Sequence, residues 1–372
     1  MLIGVPKEVK SQEYRVGLTP ESVQELTQRG HQVFVQSQCG VGIGFHDHDY
    51  HRAGAEVLET AEEVYHKATM IVKVKEPQPQ EYGLLKAKHI LFTYLHLAPD
   101  MPQAEALIQS GCTAIAYETV VDAHGGLPLL TPMSEVAGRL AIQAGATALQ
   151  KYQGGRGVLL GGVPGVTPAE VLIIGGGVVG ENALMMALGL GANVTVLDRS
   201  LSKLNELDKR YFGTINTVYS TSSSIAEYSQ RADLVVGAVL VAGATAPKLI
   251  SEEGIAQMKP GAVVVDVAID QGGCFATSYP TTHEQPTFMK HNVVHYCVAN
   301  MPGAVPLTSS KALNNATLPY VIQLADEGLN LLKKDFYLAQ GLTVFQGQIV
   351  HKAVAESLDK AYVDPVVALK DV

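Results

Sequence analysis

The chain has 372 residues, with 36 acidic against 27 basic side chains, a formal net charge of -9 and 47% apolar residues. That length exceeds the roughly 250–300 residues over which one hydrophobic core keeps growing, so two domains are expected. A nucleic-acid binder carries a basic footprint that an acidic chain lacks, and a charged fraction of 17%, below the usual ~25%, points to parallel sheets covered on both faces.

The N-terminal Met1-Leu2-Ile3-Gly4-Val5 has no basic-then-apolar signal form and reads as a short strand. A helix opens at Thr19-Pro20-Glu21, with Thr as its cap and Pro in its first turn. Residues 32–36 are strand-like, 56–67 helix-like, and 70–75 and 90–96 strand-like, with a break at Pro77. Such alternation predicts a parallel sheet with helices on its faces. Thr131-Pro132-Met133-Ser134-Glu135 starts an Ala-rich helix running to about Tyr152. A second alternating run follows: strands over 171–174, 193–198, 234–239, 262–269 and 293–298, with a helix over 178–191. After Pro306 the pattern turns helical to about Lys334.

The fold class expected is therefore α/β, with two doubly wound, Rossmann-like domains, parallel sheets and the active site in the cleft between them. Residues 1–130 with 306–372 form a discontinuous substrate domain. Residues 131–305 form a dinucleotide-binding domain with a linking helix near 131–152.

Gly175-Gly176-Gly177-Val178-Val179-Gly180 matches G-x-G-x-x-G directly after an apolar strand and at the start of a helix. Gly175 permits the tight turn, Gly177 lets backbone approach a pyrophosphate, and Gly180 lets helix and strand pack closely. The helix N-terminus supplies N–H groups and a positive dipole end for phosphates. A second strand ends in Asp198, whose carboxylate suits a ribose 2′-hydroxyl and repels a 2′-phosphate, favouring NAD over NADP. The glycines of 154–165 lack this context and read as a connection between domains.

Open α/β sheets bind ligands outside the carboxyl ends of their strands. Lys75, His96 and Asp270 each end a strongly apolar run, and Arg15 could supply a planar fork for a carboxylate. His46-Asp47-His48-Asp49-Tyr50-His51 lies in a polar stretch without helical spacing and reads as a solvated loop, so no metal is expected. Cys39, Cys112, Cys274 and Cys297 form no C-x-x-C pair and read as buried small hydrophobes of a reducing cytoplasm. The most apolar stretch, 234–247, is shorter than the roughly 20 residues of a membrane span.

Taken together, Gly4-Val5-Pro6-Lys7-Glu8, Glu13-Tyr14-Arg15-Val16-Gly17-Leu18-Thr19-Pro20, Lys73-Val74-Lys75-Glu76-Pro77, Leu95-His96-Leu97, Met133-Ser134-Glu135-Val136-Ala137-Gly138-Arg139, Asp266-Val267-Ala268-Ile269-Asp270-Gln271-Gly272-Gly273 and Val298-Ala299-Asn300-Met301-Pro302 are familiar. They resemble the family of bacterial alanine dehydrogenases and the soluble part of nicotinamide nucleotide transhydrogenase, over essentially the whole chain. The resemblance implies NAD-dependent deamination of L-alanine to pyruvate and ammonium, and its reverse. Arg15 and Lys75 would bind substrate, His96 would be general acid/base, and Asp270 would assist at the reacting carbon. Ser134, Lys203, Ser220, Val239 and Leu240 would line the cofactor site with Asp198 and the glycine loop. So would Val267, Ala268, Ile269 and Asp270, and Val298, Asn300 and Met301. A cytoplasmic homohexamer is implied, without nucleic acid or membrane as partner. Gln12 and Val179 depart from the family pattern, and Gln323 and Glu327 do not reproduce the acid–histidine pair that binds a metal in some relatives. The alternatives are another amino- or 2-oxo-acid dehydrogenase of this plan, a transhydrogenase subunit, or an NAD-binding regulator without turnover.

Overall fold

The computed structural model describes residues 1–239 and 246–371. They fall into two units, Met1–Met133 with Val305–Val372, and Ser134–Ala304.

The first unit opens with β1 (Leu2–Val5), β2 (Gln32–Gln36), β3 (Glu56–Leu58), β4 (Met70–Val72), β5 (Ile90–Thr93) and β6 (Thr113–Ala116). These pair in parallel, in the order β3-β2-β1-β4-β5-β6. Every residue of β4, β5 and β6 is buried, as expected of unalternating apolar runs covered on both faces.

The second unit holds β7 (Glu170–Ile174), β8 (Asn193–Asp198), β9 (Asn216–Tyr219), β10 (Leu234–Gly237), β11 (Val263–Asp266), β12 (Thr287–Lys290) and β13 (Val293–Tyr296). Its parallel order is β9-β8-β7-β10-β11-β13, and β12 closes the edge antiparallel to β13. The chain then returns to the first unit through the helix Pro306–Glu327. There β14 (Leu342–Phe345) runs antiparallel to β6, and β15 (Gln348–Ile349) antiparallel to β14.

Both sheets are thus mixed at one edge rather than wholly parallel. For β12 and β15 the reason is local: Gln346-Gly347 and His291-Asn292 all have positive φ, the geometry of two-residue hairpin turns that match strand twist, whereas β14 reaches β6 only after the long return through Pro306–Glu327. A parallel neighbour would need a crossover of a dozen or more residues.

Other expectations shift for equally local reasons. Residues 56–67 divide into β3 and the helix Ala61–Lys67, because Thr60 and Glu63 form a capping box. Thr19 sits at the cap position of Pro20–Gln28 without a side-chain bond to it, and its own N–H donates to Asn314 Oδ1 at 2.8 Å. The histidine-rich segment is a short helix, Asp47–Arg52. Asp47 there accepts bonds from Ser37 and Gln38, and Asp49 from the His46 N–H. Among the described residues no group of three or more His, Cys, Asp or Glu could hold a metal. The glycines of 154–165 lie inside the second unit, where a Cβ at Gly155 would meet the Ala148 carbonyl at 2.2 Å. All four cysteines are buried. No helix among the described residues is long and apolar enough to cross a membrane.

Candidate active site

Each sheet reverses its strand order once, between β1 and β4 in the first unit and between β7 and β10 in the second. Ligands of open α/β sheets bind outside the carboxyl ends at such a switch point.

At the first switch point β4 stops at Val72, and beyond it the Lys73 N–H still donates to the Phe92 carbonyl at 3.2 Å and the Tyr94 N–H to the Val74 carbonyl at 3.3 Å. Lys73 turns inward, fully buried, with its ammonium 3.1 Å from Glu8 and 2.9 Å from Glu81. Burial opposes that charge, but the two carboxylates outweigh it and hold the Lys73 pKa above the usual lysine value. Burial pushes Glu8 above the usual carboxylate range despite Lys73. Glu8 Oε1 also accepts the N–H groups of Val74 at 2.6 Å and Lys75 at 3.4 Å. Lys75 itself is only half-buried, so the same short exit takes one lysine into the core and leaves the other partly open to solvent.

Arg15 reaches the same end of the sheet on a loop that needs glycine: a Cβ at Gly17 would lie 2.4 Å from the Val72 carbonyl. Helix Pro306–Glu327 pins this loop, with Ser310 Oγ accepting the Val16 N–H at 3.2 Å. The guanidinium is 2% exposed, and Glu13 takes its Nε and Nη2 at 2.7 and 2.6 Å, while Nη1 lies 3.2 Å from Met133 Sδ. One edge of the expected fork is therefore committed to Glu13. Burial works against the charge on Arg15, Glu13 more than offsets it, and its pKa rises.

Strand β5 ends at Thr93, three residues before His96. Thr93 Oγ1 donates to the Lys75 carbonyl at 2.9 Å, tying the two exits together. His96 is exposed, stacks on Tyr94 with centroids 5.8 Å apart, and has φ 46. That left-handed backbone costs a non-glycine residue on the order of 1–3 kcal/mol and persists only where its surroundings impose it. Glu118, just past β6, lies against this backbone: its carboxylate accepts the N–H of Leu95 at 3.2 Å and of His96 at 2.6 Å.

In the second unit the glycine loop turns at Gly175, φ 102, where the Ala238 carbonyl lies 2.7 Å from where a Cβ would stand. A Cβ at Gly180 would fall 1.8 Å from the Gly175 carbonyl, whereas one at Gly177 would meet nothing within 4 Å. The helix Val178–Gly189 begins there without a side-chain cap. Asp198 accepts the Gly176 N–H through Oδ2 and the Ser200 N–H through Oδ1, both at 2.7 Å, which leaves each oxygen a further lone pair. Open space at the second glycine, uncapped helix N–H groups and an acid at the end of β8 fit a dinucleotide.

The remaining expected cofactor residues follow strand ends or flank them. Ser220 follows β9 with its N–H on the Asp198 carbonyl, and Val239 follows β10. Leu240 lies outside the described residues. Val298, Asn300 and Met301 follow β13, Ser134 lies in the helix Thr131–Ala148, and Lys203 pairs with Glu181 at 2.9 Å.

Asp270 does not end a strand. β11 stops at Asp266, opposite Gly237 at the end of β10, and Asp270 is exposed on the 3₁₀ turn Ile269–Gln271. Asp266 is instead buried and accepts the N–H groups of Ala268, Cys274 and Phe275 at 2.9–3.2 Å. Lys248 holds the other side of that loop through the carbonyls of Gly272 and Gly273, at 2.6 and 2.8 Å. Sequence reasoning missed Glu8, Glu13, Glu118, Asp266 and Lys248, whose signal was the need of each buried cation or exposed backbone turn for a partner.

Residues 4–137 match the model of the alanine dehydrogenase/PNT N-terminal domain, and residues 141–352 that of its C-terminal domain. An alanine dehydrogenase of Halomonas elongata is 56% identical over 365 residues, 98% of each chain. One of Bacillus subtilis is 52% identical over 373 residues, 100% of this chain and 98% of its own. A solved L-alanine dehydrogenase matches with a TM-score of 0.94 at 52% identity, covering 96% of this chain and 99% of the other. A transhydrogenase of Sinorhizobium meliloti shares the fold, with a TM-score of 0.82 at 23% identity over 95% of this chain and 100% of its own. With strand order, glycine loop and full-length identity in agreement, the chain belongs to the alanine dehydrogenase/PNT family.

Proposed function

We propose that the chain catalyses the NAD-dependent oxidative deamination of L-alanine to pyruvate and ammonium, and the reverse reductive amination. The observation that carries this reading is identity of 52–56% with alanine dehydrogenases over nearly the whole chain. The joined exits of Lys75 and His96 at one end of the first sheet support it.

Arg15 and Lys75 bind the substrate's carboxylate and keto oxygen and fix its orientation, which supplies proximity rather than new bonds. In deamination, water adds to the iminium carbon and ammonia leaves, so protons must move twice. His96 moves them, imidazole being the side chain that ordinarily changes charge near neutrality. Asp270 assists at the reacting carbon. The glycine loop Gly175–Gly180 holds the pyrophosphate, Asp198 the adenosine ribose, and the loops after β9, β10, β11 and β13 the remainder of the dinucleotide. When bound, NAD supplies the two-electron acceptor for the hydride from Cα. The same reading takes the protein to be a cytoplasmic homohexamer, which light scattering on purified protein checks for assembly.

The test is NADH oxidation by purified protein with pyruvate, with and without ammonium. Turnover is expected only when ammonium is present. Equal consumption without it would mean reduction to a hydroxy acid and would overturn the proposal.

A further inference from the structure

We propose that Glu118 is a positioning residue for His96, acting through the backbone; the inference rests on the role given to His96 above. Three observations converge on it. His96 has φ 46 outside any hairpin turn, a conformation uncommon for a side-chain-bearing residue and kept only where its surroundings hold it. The Glu118 carboxylate accepts two successive N–H groups, Leu95 at 3.2 Å and His96 at 2.6 Å, so it grips the peptide unit that sets this φ. The same exit is tied to Lys75 by the Thr93 hydroxyl at 2.9 Å, so the imidazole and the lysine keep a common frame only while the His96 backbone stays in place.

A carboxylate suits the task because charge-assisted bonds to backbone N–H are about twice as strong as neutral ones. Removing it leaves two N–H groups unpartnered and lets His96 relax to negative φ, which swings the ring away from its place. Misplacement by about 1 Å can cost 10²-fold in rate without loss of substrate binding.

The experiment measures kcat, KM for pyruvate and NADH affinity for E118A and E118Q, together with the His96 ring resonances of histidine-labelled protein, assigned by their absence in H96A. E118A is expected to lose on the order of 10²-fold in kcat, with KM and NADH affinity unchanged and the His96 resonances shifted. E118Q, which keeps one acceptor oxygen, should recover most of the rate and the wild-type resonances. Should E118A not fold, E118D, whose carboxylate is withdrawn by one methylene, takes its place with the same expectation. A folded E118A, or E118D in its place, that keeps more than about a tenth of the wild-type kcat would overturn the proposal, given that magnitude. Parallel loss of NADH affinity and of E118Q rescue would also overturn it, as the mark of a merely structural residue. Wild-type protein inactive with pyruvate, ammonium and NADH would instead overturn the reaction, while shifted His96 resonances in E118A would still support the positioning.

Discussion

At the carboxyl ends of β1 and β4 the first unit buries charge: Glu8, Glu13, Arg15 and Lys73 are all under 10% exposed and pair as Glu13 with Arg15 and Glu8 with Lys73. At the ends of β7 and β8 the second unit works mainly with backbone, through glycines whose missing side chains leave room and a helix start left uncapped. The two sheets share a strand order and differ in what they spend it on. Charged networks can hold a second charge, such as Lys75, at a fixed place for a small acid. Open backbone amides suit an extended anion that needs a cradle more than a counter-ion.

This contrast can be broken most sharply at Lys73. Lys73→Met would leave the Glu8 and Glu81 carboxylates buried without their cation, so a loss of about 3–5 kcal/mol is expected in urea unfolding. Stability near that of the wild type would show that the first unit does not depend on its buried charge.

In the second unit the corresponding test uses two glycines. Gly180→Ala places a methyl where the Gly175 carbonyl already stands, and overpacking of this kind costs about 1–3 kcal/mol and distorts the loop. Gly177→Ala meets no protein atom at an ordinary φ of -68, so the protein should fold as before. Its NADH affinity should nonetheless fall about tenfold or more, ~1.4 kcal/mol, because the methyl occupies the approach of the pyrophosphate. Equal effects of the two substitutions on folding, by thermal melts, would contradict a backbone-built cradle.

A smaller effect comes from pH and touches both units. Burial lowers the pKa of His89, His351 and His295. His89 shows why: its Nδ1 accepts the Lys86 N–H at 2.9 Å and its Nε2 faces the Tyr65 carbonyl at 2.8 Å, an arrangement that protonation breaks. Since the folded values lie below the unfolded ~6.5, this stability is complete above that pH and lost as pH falls through it, by at most ~1.4 kcal/mol per histidine and pH unit. Urea midpoints should therefore drop from pH 7.5 to 5.5, and a His89→Gln variant should flatten part of the slope. A flat profile in the wild type would contradict it.

The same contrast explains what could be read from the sequence. The glycine loop, the apolar strand before it and Asp198 after it lie within 30 residues, and their meaning is local. The α/β alternation is legible for the same reason, since apolar runs mark strands, but the runs into Lys75 and His96 each pass the strand's last residue, Val72 and Thr93, by three positions. The charged frame was not. Glu8 and Lys73 are 65 positions apart and Glu118 and His96 are 22, so nothing local joins them. β6 (Thr113–Ala116) and the hairpin of four-residue β14 and two-residue β15 are not signalled locally, since none forms a long apolar run bounded by turn residues, and Glu118 takes its place only from β6. Asp270 was placed at a strand end because 262–269 is continuously apolar except for Asp266, yet that acid is where pairing with β10 stops.

On the function proposed above, the first unit supplies the proton chemistry and the second the cofactor binding, separably. The most direct measurement is NADH affinity by fluorescence beside steady-state turnover for His96→Ala. A fall in kcat of about 10²–10⁴-fold is expected, the typical cost of losing a positioned proton shuttle, with NADH affinity unchanged. A folded variant that keeps more than about a tenth of the wild-type kcat, or one that loses NADH affinity along with it, would show that the two roles are not divided in this way.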